Sequence, residues 1–92
     1  MEIPKKLKIG TQIVKITQKP LSEIDSECNG GWARWEHNEM IIANDIPQDR
    51  KEYLFFHELL HFLNIHFTEK ETTFLAEALY QVLRDNKLLK TL

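Results

Sequence analysis

His57, Glu58 and His61 stand in the order His-Glu-Leu-Leu-His, and no other stretch of the chain carries as much chemistry. On a helix, residues four apart lie one turn from each other on the same face, so both imidazoles can reach one metal ion. Glu58 sits one step round from His57, near enough to hold a water on that ion without binding the ion itself. Two histidine ligands with a glutamate as general base are the equipment of a zinc hydrolase. The plain alternative is a buried helix that happens to carry two histidines. That reading leaves three polar side chains to be satisfied in apolar surroundings, which is costly without a metal.

A hydrolytic zinc site takes a third protein ligand and keeps one position open for water. His66, Glu69 and Glu71 follow the motif and are the candidates. His66 comes five residues after His61, and Asn64 stands where a glycine turn would have to bring it back to the ion. Glu71 has a competing role, because Thr68 and Glu71 have the spacing of a capping box. Glu69 is preferred, with Thr73 on the same helix face to support it. Both glutamates also suit a helix's first turn through the dipole alone, so Glu71 and His66 stay open.

Other side chains have two readings each. Tyr53, one turn before His57, can serve an oxyanion or simply pack. Cys28, beside Asn29-Gly30-Gly31, can cap the metal as a thiolate or be an ordinary loop cysteine. Trp32 and Trp35 cannot share a face of a regular strand, where faces alternate. One is expected in the core and the other exposed or at a bulge, with peptide contact as a further use.

The elements that must position these residues follow from periodicity. Leu7–Lys19 is rich in Ile, Val and Thr and predicts a hairpin or a long bent strand, with Gly10-Thr11 as turn or bulge and Pro20 as its end. Residues 21–31 are polar and close on Gly30-Gly31, a loop. Trp32–Glu36 and Met40–Ala43 flank His37-Asn38-Glu39 and predict a second hairpin. Met40–Ala43 could be a sheet edge that binds an extended peptide by strand addition. Pro47 suits a helix entry, and the helix runs from about Gln48 to Leu63, with Phe55, Phe56, Leu59, Phe62 and Leu63 covering most of its circumference. Asn64 is a plausible C-cap. A last helix runs from Glu69 to about Leu89, with Leu75, Leu79, Val82 and Leu83 on its inner face. The fold class expected is α+β: a small antiparallel sheet of three to four strands, then the motif helix and a C-terminal helix, in one domain over residues 1–92.

With 92 residues, 42% of them hydrophobic, the chain can fill only a modest core, and any cleft must be shallow. Binding a metal only when folded would stabilise so small a domain. A formal charge of −2 gives no reason to expect nucleic acid as a partner. The single cysteine cannot form an internal disulfide, and no apolar run approaches a membrane span, so a cytoplasmic setting is expected. Oligomeric state is not legible.

IPKKLKIG at the start, the middle hairpin, HELLHFL, and ETTFLAEALYQVLRDN together resemble small phage- or prophage-encoded metallopeptidase-like proteins. These are akin to ImmA/IrrE-type and other minimal gluzincin domains. The resemblance implies a curved sheet, an active-site helix, and a second helix that gives a glutamate ligand. It implies zinc as cofactor and a peptide or protein as substrate, in the host cytoplasm. His57 and His61 correspond to the family's zinc histidines, Glu58 to its general base, and Glu69 approximately to the acid at the head of the last helix. There are two departures: the connection after His61 is short, and Thr73 stands where a second acid is often found. The competing expectation is a catalytically weak or inactive, metal-stabilised phage protein that acts by protein–protein binding.

Overall fold

Alternating side chains build the first half of the chain into strands. In the computed structural model, which describes residues 1–63 and 66–89, β1 (Lys6–Ile9) and β2 (Gln12–Lys19) form an antiparallel hairpin. Gly10 makes the tight connection with a φ of +60°, a conformation that costs glycine little. Beyond Pro20, two short 3-10 turns at Leu21–Glu23 and Ser26–Cys28 carry the chain to the far side of the sheet. There β3 (Gly31–Arg34) pairs antiparallel with β4 (Glu39–Ala43), forming the second hairpin. A 3-10 turn, Trp35–His37, takes the place of the last two residues expected in its first strand.

The strand order is β1-β2-β4-β3, and β2 pairs with β4 in parallel. The sheet is therefore mixed rather than antiparallel throughout. β4 returns from the edge strand into the gap beside β2, and that return fixes its direction. It lies in the interior of the sheet and cannot accept an added strand; the edge is β3. Met40, Ile41, Ile42 and Ala43 are all buried, as a strand covered on both faces requires.

Two helices complete the α+β fold: α1 (Gln48–Leu63) and α2 (Glu69–Asp85). Leu54, Phe55 and Phe56 of α1 pack with Val14, Ile16, Met40 and Ile42 of the sheet and Tyr80 of α2 as the main core. Ile24, Ile41 and Ala43 form a smaller cluster.

α2 departs from expectation in two ways. Its buried residues are Thr72, Ala76 and Tyr80, with Leu83 packed against the core, whereas Leu75, Leu79 and Val82 are 38%, 41% and 48% exposed. Thr72 and Ala76 are small enough to let the two helices approach closely, and this turns the flanking leucines outward. The helix also stops at Asp85, four residues before Leu89. Lys87 adopts the left-handed conformation, and the amides of Lys87 and Leu88 donate to the carbonyls of Arg84 and Leu83, a Schellman ending. The proposed Asn64 cap of α1 lies outside the described residues.

Candidate metal centre

The motif occupies the second half of α1. His57 and Glu58 are buried and His61 is half-buried. α2 supplies the third group because its start is fixed by a full capping box. The Thr68 hydroxyl accepts from the Glu71 amide at 3.1 Å, and the Glu71 carboxylate accepts from the Thr68 amide at 3.0 Å. Glu71 is thereby occupied, and its carboxyl is held below the ordinary range by the Thr68 backbone N–H and hydroxyl. Glu69, the first helical residue, is free to reach across to α1.

Glu69 Oε1 lies 2.7 Å from His57 Nε2, and its Oε2 lies 3.1 Å from His61 Nε2. The two Nε2 atoms are 3.3 Å apart. Ligand atoms about 2.1 Å from a tetrahedral ion stand roughly 3.4 Å from one another, so the cluster is already close to the spacing a metal requires. All three ligand atoms lie within 4.8 Å of one another, and the group could hold a metal ion. Two imidazoles and a carboxylate form a donor set that several first-row divalent ions accept. Among the described residues His66 is not part of this group; it sits exposed in the turn before α2. Burial lowers the pKa of His57 in spite of the opposing Glu69 carboxylate, which favours the neutral, ligating form of the ring.

Glu58 does not join the cluster. It turns toward β3, where the Ala33 backbone N–H bonds its carboxylate. A side chain at Gly31 would place its Cβ 2.7 Å from Glu58 Oε2, so only glycine leaves the carboxylate its seat. Burial, and then the charge of Glu69, push the Glu58 pKa up to about 8 against the opposing Ala33 N–H. A divalent cation at the cluster acts in the opposite direction.

β3 offers its outer edge to the same space. The Ala43 amide donates to the Gly30 carbonyl, so by alternation the backbone groups of Gly31 and Ala33 point away from β4. A cleft of about 650 Å³ opens here between β3 and the two helices, with Cys28, Trp32 and Trp35 in its wall.

The remaining candidates are placed as follows. Neither tryptophan enters the core: Trp32 is 41% and Trp35 52% exposed, and Arg34 lies over the Trp32 ring at 4.7 Å. Cys28 is half-buried, and burial together with Asp25, Glu58 and Glu27 raises its thiol pKa, so thiolate ligation is disfavoured. Tyr53 sends its hydroxyl to His57 Nδ1 at 3.2 Å, which spends it on the ring and not on an oxyanion. Sequence reasoning missed Gly31 and Ala33. The Gly30-Gly31 pair was their only signal, and it reads equally as the end of a loop.

No helix among the described residues is long and apolar enough to cross a membrane. No protein-family model matches this chain, and no curated protein or solved structure is significantly similar to it.

Proposed function

We propose that this chain is a zinc-dependent peptidase that takes an extended peptide along the outer edge of β3. The observation that carries the reading is the convergence of His57, His61 and Glu69, with Glu58 buried beside them but off the cluster. Among the described residues three side chains converge, fewer than the four of a closed structural site, which suits a metal that keeps a position for water. Zinc held there would supply Lewis acidity, acidifying water and polarising a scissile carbonyl. The outward backbone groups of Gly31 and the Ala33 carbonyl would align the peptide by strand addition, the Ala33 N–H being held by Glu58. Glu58 would take the proton of the attacking water and pass it to the leaving amine. The buried position of Glu58 keeps its proton affinity near the working range of such a base.

A second reading is a metal-stabilised domain that acts by protein contact without turnover. It draws on the exposed stripe of Leu75, Leu79 and Val82, and on the engagement of Tyr53 away from any oxyanion.

Elemental analysis of untagged protein, beside His57→Ala, tests the centre first. Near one zinc per chain, lost in the variant, is the expected result; no metal in either after zinc is added back overturns the proposal. For a peptide that the loaded protein hydrolyses, Glu58→Gln should lower the rate by about 10²–10⁴-fold. Stoichiometric zinc with no hydrolysis across a peptide library would favour the second reading.

A further inference from the structure

We propose that Tyr53, backed by Thr73, is the positioning residue that lets His57 change partners when a metal binds. The proposal rests on reading the cluster as a metal centre. His57 presents two different nitrogens to two different neighbours. Its Nε2 faces Glu69 Oε1 at 2.7 Å and His61 Nε2 at 3.3 Å; its Nδ1 faces the Tyr53 hydroxyl at 3.2 Å. Tyr53 lies one turn earlier on α1, its ring edge-on to the imidazole with centroids 5.8 Å apart. From α2, the Thr73 hydroxyl stands next to the phenol oxygen. Thr73 is one turn beyond Glu69, so α2 provides the ligand and the brace on successive rungs of the same face.

A neutral imidazole carries one proton, and the two states of the site need it in different places. Without metal, Nε2–H donates to the Glu69 carboxylate, and the bare Nδ1 must accept a hydrogen bond. With metal, Nε2 gives its lone pair to the ion, and Nδ1–H must donate. A carboxylate could serve only the second state. The Tyr53 hydroxyl serves both: it donates its hydrogen to Nδ1 in the first and accepts from Nδ1–H in the second. Thr73 has the same versatility. In the loaded state it can accept the displaced phenol hydrogen, or donate its own and still leave the phenol oxygen a lone pair. Burial makes the partner matter, because His57 is only 6% exposed and water cannot readily replace it.

The test is zinc affinity by chelator competition for wild type, Tyr53→Phe and Thr73→Val, with urea unfolding of each metal-free protein and nitrogen NMR of His57. Tyr53→Phe should weaken zinc binding about 10–100-fold and Thr73→Val by a smaller factor, as loss of such ring partners does elsewhere. In wild type the His57 proton should move from Nε2 to Nδ1 on loading. A residue that merely packs would lower metal-free stability and leave affinity unchanged. Equal zinc affinity in wild type and Tyr53→Phe, or the same His57 tautomer before and after loading, overturns the assignment and spares the metal centre. Wild type that takes up no zinc overturns the metal centre and this assignment with it.

Discussion

Glu58 carries two opposing demands, since its seat on Gly31 and Ala33 removes it from water while the general-base role proposed for it requires it to ionise. Its pKa of about 8 in the folded chain stands above the ordinary value of 4.5. Between those two values the folded chain holds a proton that the unfolded chain has released, so stability falls as pH rises through that window. Glutamine in its place carries no charge and can still offer an oxygen to the Ala33 amide. In chelator, Glu58→Gln is therefore expected to be more stable than wild type at pH 8, on the order of 1–3 kcal/mol, and to converge with it toward pH 4.5. Urea unfolding at a series of pH values reads this directly. A difference that does not change with pH would contradict a buried, proton-holding Glu58. Added zinc should shrink the gap, because the cation favours the carboxylate.

At the scale of elements, the cap of α2 decides where the third side chain of the cluster stands. Thr68 and Glu71 satisfy each other's amides, so Glu69 begins the helix in one orientation and meets both imidazoles. Thr68→Ala removes the cap and should cost about 1 kcal/mol of stability. It should also weaken zinc binding, and thermal melts with and without zinc separate the two effects. A loss of stability that is identical in both would mean that Glu69 finds its place without the cap. This end of the site was legible in the sequence because capping and the four-residue spacing of His57 and His61 are local rules. Sheet order is not local. Met40–Ala43 shows four apolar residues in a row, a sign of a strand covered on both faces, yet its length also fits an exposed edge. The rotation of α2 was hidden for a similar reason. Leu75, Leu79 and Val82 have the right period for a core, but the small Thr72 and Ala76 are what the neighbouring helix can approach. A lysine, not a glycine, takes the left-handed turn at position 87, so the early end of α2 carried no sequence signal.

At the scale of the whole molecule, Glu52 ties the start of the chain to both helices. Its carboxylate meets the Met1 α-ammonium at 2.9 Å, the Gln48 side chain at 2.9 Å and the Tyr80 hydroxyl at 3.0 Å. Burial works to raise the pKa of Glu52, but these hydrogen bonds and the ammonium charge outweigh it and leave the carboxyl below its ordinary value. The folded state therefore favours the ionised form. Its contribution is complete above the unfolded value of 4.5 and is lost as pH falls through the lower folded value. Glu52→Ala leaves a part-buried ammonium and a buried hydroxyl without their partner, and a cost of about 1–3 kcal/mol is expected. Tyr80→Phe, which removes one neutral donor, should cost nearer 1 kcal/mol. Unfolding followed by circular dichroism between pH 2 and pH 7, in chelator, should show less acid dependence in Glu52→Gln than in wild type. If both lose stability in parallel as the pH falls, the acid sensitivity lies in other carboxylates, and the Glu52 contacts hold the helices without setting the pH at which the molecule opens.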